Sequence, residues 1–380
     1  MRRLSIGLNA MVKHDRKNQD GPINRRELML KSSLPVSRKN VFIEANDQDD
    51  AQHHESSLLR RKSIQEYFQD IHLDDGPQTP RTGSGGFIPM PHENMEWDRL
   101  ENVEFLAQGG MCRVLSATLH GVPCVIKIGR DDHANPEVVK LSLKDEITVL
   151  RRLKHPNVVG YYGSGRGADG GLFLVLERLD HRALHHRLGT APGAKKQTAR
   201  GVPLLARLKW GLELATGMAY LHDRAVPGSM VLHRDLKPEN LGFGADGRLK
   251  IMDMGLALIV DRHFRSRADR YKMSGQVGSA RYMSPEVAQR QRYNEKADVH
   301  SFAVILWEML ALRLPFADMD LESFTREVVE GGMRPPLKKE WGDDLKDLMT
   351  QAWDPDPDVR PSFREVAGHM ECILAEEIER

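Results

Sequence analysis

The chain is poor in cysteine, in aromatic residues and in any excess of one charge sign. Its 380 residues include 3 cysteines, and aromatic residues make up 6% of the total. Three cysteines cannot build a disulfide framework, which favours a reducing compartment over a secreted scaffold. Lysine and arginine total 55 against 54 for aspartate and glutamate. The net charge of +1 therefore gives no support for binding to nucleic acid or to a membrane surface.

Long apolar segments are also missing. The best candidate, "SFAVILWEMLALRLPF", is interrupted by Glu308 and Arg313, so it predicts a buried helix rather than a membrane span. The N-terminus carries Arg2 and Arg3 but lacks the apolar core of a secretory signal. Because the first acidic residue is Asp15, an organelle transit peptide is a minority alternative. We expect a soluble protein inside the cell, in the cytoplasm, with the nucleus as an alternative.

Residues 1–97 predict a mostly disordered N-terminal extension. They lack sustained hydrophobic periodicity and close with the Gly/Pro/Ser-rich stretch "DDGPQTPRTGSGGFIPMP". Such a composition buries too little apolar area to offset the entropy of ordering the chain. Residues 56–73 are the exception, because their apolar side chains form a rough helical stripe. That helix could dock on a partner or on the folded domain, and a helix without a role is an equally good interpretation.

The folded region begins near residue 98. Short β-type runs such as "ENVEFLAQ" and "PCVIKIG" are separated by glycine and proline. The spacing in "LSLKDEITVLRRLKH" then predicts a helix, "GGLFLVLERL" predicts a strand, and most later segments have helical spacing. This pattern indicates an α+β fold with two lobes. We assign the β-rich lobe to residues 98–178, the helical lobe to 179–375 and a short tail to 376–380.

The segment "VLHRDLKPENLGF" concentrates an acid, a lysine and an amide between apolar flanks. Charged side chains in such a setting are rarely buried without a partner. This segment is followed by "DMG". It is preceded by a pair of glycines, by "CVIK" and by a predicted helix that contains Glu146. This order of motifs, over about residues 98–375, resembles the eukaryotic protein kinase domain. "DVHSFAVILWEML" and "WDPDPDVRPSF" look most like the tyrosine-kinase-like group of Ser/Thr kinases.

The resemblance implies roles for residues of "HRDLKPEN" and "DMG". Asp235 resembles the aspartate that accepts the proton of the substrate hydroxyl, and Lys237 the lysine that reaches the γ-phosphate. Asn240 and Asp253 resemble the two Mg²⁺ ligands, so ATP and Mg²⁺ are the implied cofactors. A solvated turn could hold any one of these residues, whereas all of them in this order indicate a catalytic site. Met254 replaces the usual phenylalanine and keeps an apolar side chain.

Lys127, the last residue of "CVIK", resembles the lysine that binds the α- and β-phosphates, and Glu146 resembles its partner on the next helix. A solvated edge residue is the alternative for a strand lysine taken alone. Glu146, however, flanks the apolar stripe of its helix, where a carboxylate needs a cation. We therefore expect these two side chains to pair.

The stretch "LAQGGMCRV" resembles the kinase glycine-rich loop only in part. Gly109 and Val114 match the pattern, while Ala107 and Cys112 stand where the first and third glycines are expected. A plain hairpin turn is the alternative for this stretch taken alone. The added β-carbons predict a stiffer loop that closes less tightly on phosphates. The residues expected near the nucleotide are Leu106, Ala107, Gly109, Gly110 and Val114.

The resemblance also assigns the adenine site. Leu176 is the expected gatekeeper, and Glu177 and Leu179 are expected to offer backbone groups to the base. Val125 stands above the base where kinases usually have alanine, and Gly242 stands below it where they usually have a large aliphatic residue. We expect these two changes to compensate, with the base shifted toward the helical lobe. The alternative is that Gly242 only relieves crowding from its neighbour.

Substrate and regulation follow from the same resemblance. Lys237, together with Ser279 in "GSARYMSPE", is typical of kinases that act on Ser/Thr hydroxyls of proteins.

In kinases an arginine such as Arg234 often binds a phosphate on the activation loop, and the loop of this chain is rich in cations that a dianion would order. We therefore expect an upstream kinase to activate the protein, at Ser274 first and at Ser266 second.

One further pair and one further residue are expected to be structural. Glu286 of "SPE" should pair with Arg360 of "VRPSF", and Asp298 should anchor the catalytic loop. The main hypothesis is an active Ser/Thr protein kinase in intracellular signalling. The alternative is a pseudokinase that acts as a scaffold or allosteric partner, which only the incomplete glycine-rich loop favours. The lysine, both aspartates and the asparagine are all present, which favours the active enzyme.

Overall fold

The β-type runs assemble into a six-stranded sheet, which forms the first lobe. The structure is a computed structural model, and it describes residues 92–179, 182–191, 201–262, 270–271, 273–275 and 278–380. The strands are β1 (His92–Met95), β2 (Leu100–Gln108), β3 (Cys112–Leu119), β4 (Val122–Gly129), β5 (Tyr161–Arg166) and β6 (Leu172–Glu177). Their order in the sheet is β1-β5-β6-β4-β3-β2, and neighbouring strands are antiparallel except for β1 and β5.

Strand β1 precedes the start that the sequence predicted for this lobe at residue 98. It pairs in parallel with β5, and Met95 is buried. Gly165 permits this approach, because a Cβ atom there would overlap the carbonyl oxygen of Met95. Trp97 packs edge-on against Phe173, with the ring centroids 5.1 Å apart. The lobe therefore begins earlier than predicted, because a strand of 4 residues has no periodicity of its own and depends on its neighbour for hydrogen bonds.

Helix α1 (Pro136–Leu150) packs against strands β4 and β6 of the sheet. Asn135 caps its N-terminus by accepting a hydrogen bond from the backbone N–H of Val138, at 3.4 Å. A proline at the first helical position is already in the helical conformation. Glu146 is the one charged member of the buried face, which otherwise consists of Val139, Leu143, Val149 and Leu150. The helix thus carries a carboxylate toward the sheet.

The second lobe is mostly helical and is built around helix α5 (Lys296–Ala311). All residues of α5 from Ala297 to Ala311 are buried, which confirms the buried helix that the sequence predicted. Within the described residues, no helix has the length and apolar content that a membrane crossing requires. The helices of this lobe are α2 (Leu184–Arg187), α3 (Leu204–Asp223), α4 (Pro285–Ala288), α5 (Lys296–Ala311), α6 (Leu321–Ser323, continued by a π-helix at Phe324–Glu330), α7 (Asp343–Ala352) and α8 (Phe363–Glu379).

Two short antiparallel pairs of strands lie between α3 and α4. The first joins β7 (Ser229–Leu232) to β10 (Leu258–Asp261), and the second joins β8 (Leu241–Phe243) to β9 (Leu249–Ile251). The segment "HRDLKPEN" runs from the end of β7 to the start of β8. Since both strands are buried, the polar segment between them has fixed ends.

Glu286 and Arg360 form the predicted buried pair. The guanidinium group of Arg360 binds the carboxylate through two bonds, Nη1 to Oε1 at 2.7 Å and Nη2 to Oε2 at 3.0 Å. Arg360 is 1% exposed and Glu286 is 5% exposed. The pair connects helix α4 to the segment that precedes α8, and these two parts of the chain are far apart in sequence.

We expect Glu286→Gln to lower the free energy of unfolding by about 3–5 kcal/mol, because it leaves the Arg360 cation buried without its counter-ion. The matched control is Glu340→Gln, since the pair of Glu340 with Lys338 is exposed and should contribute less than about 1 kcal/mol. Urea unfolding of both variants tests the expectation. Equal losses in the two variants would contradict it.

Candidate active site

The ammonium group of Lys127 joins three separate elements of the structure. Lys127 lies on β4, and its Nζ is 2.9 and 2.8 Å from the two carboxylate oxygens of Glu146 on α1. The same Nζ is 2.9 Å from Oδ1 of Asp253, which follows β9. The expected pair of Lys127 and Glu146 is therefore present, and Asp253 shares the cation.

Burial and charge act in opposite directions on these three groups. Burial by itself would lower the pKa of Lys127, but the charges and hydrogen bonds of the two carboxylates raise it. Burial raises the pKa of Glu146 in spite of the nearby ammonium group. For Asp253, the ammonium group overcomes the effect of burial and lowers the pKa. Lys127 is therefore protonated and Asp253 ionised at neutral pH.

The residues after β9 hold Asp253 in an uncommon backbone conformation. Its φ is 63°, in the left-handed region that Asp tolerates better than most residues with a side chain. Met254 is 1% exposed and belongs to the main hydrophobic core. The apolar side chain thus anchors the turn, as the sequence predicted from the replacement of phenylalanine by methionine.

Asp298, near the start of α5, holds the backbone of the segment "HRDLKPEN". Its Oδ2 accepts the N–H of His233 and its Oδ1 accepts the N–H of Arg234, both at 2.9 Å. Nε2 of His222 lies 3.0 Å from Oδ2. Burial would raise the pKa of Asp298, but the hydrogen bond and charge of His222 outweigh it and lower the pKa. These bonds offset the cost of the left-handed conformation of Arg234, at φ 68°.

Three side chains fix both carboxylate oxygens of Asp235. Nζ of Lys237 donates to Oδ2 at 2.6 Å, and Nδ2 of Asn240 donates to the same oxygen at 3.2 Å. The hydroxyl group of Ser279 donates to Oδ1 at 3.0 Å and accepts a bond from Nζ of Lys237 at 2.9 Å. Asn240 also donates to the carbonyl oxygen of Asp235 at 2.9 Å. The structure thus brings together the predicted catalytic residues and the serine of "GSARY".

Asn240 and Asp253 have the donor atoms that Mg²⁺ prefers. Nδ2 of Asn240 is engaged with Asp235, which leaves the amide oxygen as the metal-binding atom of this side chain. Asp253 supplies an ionised carboxylate. Mg²⁺ is usually held by one or two protein oxygens together with phosphate and water, so these residues fit it. In the described part of the chain, no cluster of three or more His, Cys, Asp or Glu side chains could hold a metal without such a ligand.

The predicted glycine-rich loop is a hairpin between β2 and β3. The N–H of Gly109 donates to the carbonyl oxygen of Cys112 at 2.8 Å, which closes the turn. Val114 pairs with Lys127 in the β3–β4 ladder. On its other side, Val114 pairs with Ala107 in the β2–β3 ladder. Leu106 is 55% exposed, and nothing lies within 4 Å of the place where Gly110 would carry a Cβ atom. The hairpin and the lysine therefore belong to one part of the sheet.

Comparison with known proteins agrees with this geometry. Residues 100–370 match the family described as protein tyrosine and serine/threonine kinase. The chain belongs to the protein kinase family. Its relatives include Serine/threonine-protein kinase VIK of Arabidopsis thaliana, which is 33% identical over 275 residues. They also include human Mitogen-activated protein kinase kinase kinase 7, which is 32% identical over 297 residues.

The matches cover most of this chain but a smaller part of the relatives. The match with VIK spans 72% of this chain and 59% of VIK. The match with the human kinase spans 77% of this chain and 45% of that kinase. Dual specificity protein kinase shkE of Dictyostelium discoideum is 30% identical over 76% of the chain and 38% of its own length. The chain thus spans about half the length of these relatives. The predicted resemblance to protein kinases of the tyrosine-kinase-like group is confirmed.

The segment that connects the two lobes of this kinase domain is anchored by Glu177. The backbone N–H of Glu177 donates to the carbonyl oxygen of Gly160 at 2.8 Å, and its Oε2 accepts the N–H of Gly160 at 2.9 Å. The same Oε2 lies 3.0 Å from Nζ of Lys250 on β9. Leu176, the expected gatekeeper, is 7% exposed and faces Val125 across the β4–β6 ladder. The connection is therefore tied to both lobes.

Gly242 does not leave an empty space below the cleft. A Cβ atom at Gly242 would lie 2.5 Å from Cδ1 of Leu179 and 3.5 Å from its Cβ. The side chain of Leu179 thus occupies the volume that a large residue at position 242 would fill. Leu179 therefore leaves little room for the expected shift of the base in compensation for Val125, and the shift itself stays a prediction.

The sequence interpretation missed two residues of this region. Lys250 stands between buried residues in the strand "LKI", and that signal indicates a lysine with a buried partner. His222 lies in the last turn of the long helix α3 without any motif around it, so only the structure could connect it to Asp298. Both residues position backbone that belongs to the site.

We expect Gly242→Leu to lower the free energy of unfolding by about 1–3 kcal/mol, because the new side chain overlaps Leu179. Combining it with Leu179→Ala should remove most of that overlap. The coupling energy of the two changes should therefore exceed about 0.5 kcal/mol. Urea unfolding of the two single variants and the double variant, without nucleotide, measures the coupling.

The matched control for this cycle pairs Gly242→Leu with Val125→Ala. Val125 faces the cleft from the sheet, so these two losses should add within about 0.5 kcal/mol. The opposite result, coupling with Val125→Ala and additive losses with Leu179→Ala, would contradict the contact between position 242 and Leu179.

Proposed function

We propose that this chain is an ATP-dependent protein kinase that transfers the γ-phosphate of Mg-ATP to Ser/Thr hydroxyls of protein substrates. The observation that carries the proposal is the constraint on Asp235, whose two carboxylate oxygens are held by Lys237, Asn240 and Ser279. Phosphoryl transfer needs an aligned hydroxyl and neutralised phosphate oxygens more than covalent help from the protein. A scaffold without transfer activity would have no need for this arrangement.

Each charged group of the site has a role in the proposed reaction. Asp235 orients the attacking hydroxyl and accepts its proton, and Lys237 neutralises charge that develops on the γ-phosphate. Lys127, aimed by Glu146, binds the α- and β-phosphates. Asn240 and Asp253 would hold Mg²⁺. When bound, Mg²⁺ neutralises the phosphate oxygens and fixes their positions.

The adenine base would lie between the two lobes. Leu106, Val114 and Val125 cover it from the sheet, and Leu179 lies opposite them, over Gly242. Because the N–H of Glu177 is bonded to Gly160, we assign its carbonyl oxygen, rather than its N–H, to the bond with the base. Leu179 would contribute its backbone groups, and Leu176 limits the depth of the slot.

Ser/Thr specificity is supported by the bond between Lys237 and Ser279. This bond joins the catalytic segment to the "GSARYMSPE" segment, which follows the activation loop. A lysine at 237 and a serine at 279 are the residues that the resemblance associates with Ser/Thr substrates. The identity of the protein substrate needs a peptide library, in which Ser and Thr peptides should be phosphorylated and Tyr peptides should not.

We expect Asp235→Asn to lower kcat at least about 100-fold, because the amide cannot accept the proton. ATP affinity should change little, since the role assigned to Asp235 is to bind the substrate hydroxyl group rather than a phosphate. The matched control is Asp344→Asn, an exposed residue at the start of α7. Transfer of labelled phosphate from ATP, in autophosphorylation and to a Ser peptide, measures both variants. An Asp235→Asn variant with more than about a tenth of wild-type kcat would contradict the role assigned to Asp235, whereas a wild-type chain without transfer would support the scaffold.

Activation by phosphorylation is the second part of the proposal. Nη2 of Arg234 donates to the hydroxyl oxygen of Ser274 at 2.5 Å, and the hydroxyl group of Tyr293 donates to the carbonyl oxygen of Ser274 at 3.0 Å. The neighbouring Gly275 packs against the side chain of Arg290. A phosphate on Ser274 would therefore form a charge-assisted bond with Arg234. Ser266, the second candidate, lies outside the described residues.

We expect phosphatase treatment of the purified kinase to lower its activity at least about tenfold, since the dianion would no longer hold the loop. Before treatment, Ser274→Ala should already have the low activity of the phosphatase-treated wild type. Its activity should not change when phosphatase is added. Ser266→Ala is the comparison, and it should respond like the wild type. If Ser266→Ala alone lost its response, Ser266 would be the site. Unchanged activity of the treated wild type would contradict regulation by phosphate.

We also propose a cytoplasmic location. All three cysteines, Cys112, Cys124 and Cys372, are free thiols. Burial raises the pKa of the Cys124 thiol to about 11, which makes it a poor nucleophile. Free thiols are typical of reducing compartments. Fractionation of cells that express the tagged chain tests this location.

A further inference from the structure

One side chain, that of Arg130, holds the tip of the hairpin between β2 and β3. Its Nη1 donates to the carbonyl oxygens of Gly109 and Gly110, at 3.0 and 3.3 Å. Its Nε and Nη2 donate to the two carboxylate oxygens of Asp132, at 3.0 and 2.8 Å. Its backbone N–H donates to the carbonyl oxygen of Met111 at 2.9 Å. Arg130 therefore bonds to three successive carbonyl groups at the tip.

Arg130 acts from the face of the sheet opposite to the cleft. Lys127 points into the cleft, and a Cβ atom at Gly129 would contact Val139 of α1 on that same face. The backbone bond from Arg130 to Met111 continues the β3–β4 ladder by one residue. Because successive strand residues alternate between faces, Arg130 lies on the outer face.

The direction of these bonds determines where the N–H groups of the tip point. In a trans peptide group, the C=O and the following N–H point in opposite directions. The carbonyl oxygens of Gly109 and Gly110 point to the guanidinium group, so the N–H groups of Gly110 and Met111 point to the cleft side. Two adjacent N–H groups on one side of a turn form a site for an anion.

We propose that Arg130 is a positioning residue that turns the N–H groups of Gly110 and Met111 toward the phosphates of the nucleotide, with Asp132 holding its guanidinium group. This inference rests on the proposed function, because it requires a nucleotide in the cleft. It also explains how a loop that lacks two of the expected glycines closes on phosphate. A tip that is already ordered loses less entropy when the ligand binds.

The pair of Arg130 and Asp132 is strong for a surface ion pair. Most exposed pairs contribute little, and a two-bond arginine–carboxylate contact is the exception. The hydrogen bond from Arg130 lowers the pKa of Asp132 to about 2. Nη2 of Arg113 lies 3.3 Å from Oδ1 of Asp132 and adds a second cation. The guanidinium group donates from all three of its nitrogen atoms in fixed directions, so a lysine cannot replace it.

The test measures the dissociation constants of ATP and of adenosine by calorimetry, with the full chain and with Arg130→Met, Arg130→Lys and Asp132→Asn. Both Arg130 variants should bind ATP about tenfold more weakly, and Asp132→Asn about threefold more weakly. Adenosine has no phosphate, so its affinity should not change in any variant. Arg99→Met is the matched control, because Arg99 is an exposed arginine of the same lobe whose partner is Glu96.

Each outcome distinguishes the inference from the proposed function. Wild-type affinity for ATP in the Arg130 variants would overturn the inference and leave the kinase assignment intact. Equal losses of ATP and adenosine affinity would also overturn it, since they would show a structural role in the lobe. Wild-type ATP affinity in Arg130→Lys together with weak binding in Arg130→Met would show that the positive charge at position 130 is sufficient. That result would overturn the positioning role. A wild-type chain that binds no ATP would overturn both.

Discussion

The ammonium group of Lys127 is the one charge on which the geometry of the site depends. It lies within 2.9 Å of carboxylate oxygens from two other elements, Glu146 of α1 and Asp253 after β9. The Glu146 carboxylate, which is 2% exposed, would be costly to bury without a cation. The side chain of Asp253 is 47% exposed and shares the same ammonium group. The same contacts set the position of α1 against the sheet and of Asp253 against the cleft. Loss of this cation should therefore affect both lobes.

The helical lobe supplies the rigid side of the site. Helix α5 is buried over nearly its whole length, and Asp298 at its start fixes the catalytic segment by two backbone bonds. Asp235 then receives its orientation from Lys237 and Ser279. Two residues, Arg234 and Asp253, have left-handed backbone conformations, which such a support can maintain. The charged groups are thus held before any ligand binds.

The sequence predicted the parts of the site that depend on local motifs. Asp235, Asn240 and the pair of Lys127 with Glu146 could be predicted because residue type and order identify them, and the structure brings them together. It did not predict contacts between segments far apart in the chain. Strand β1 forms because Gly165 admits a neighbour, the space at Gly242 is filled from another segment, and Arg130 meets the hairpin tip across a ladder. These contacts depend on distances that no local pattern contains.

Hydrogen exchange of Lys127→Met tests the central claim most directly. The account predicts faster exchange of backbone amides in Pro136–Leu150 and in the turn after Asp253, because Glu146 and Asp253 lose their shared cation. Exchange in α5 should stay at the wild-type rate, and this helix is the internal reference. Unchanged exchange in α1 and around Asp253 would show that packing alone positions them. That result would contradict the role assigned to the ammonium group of Lys127.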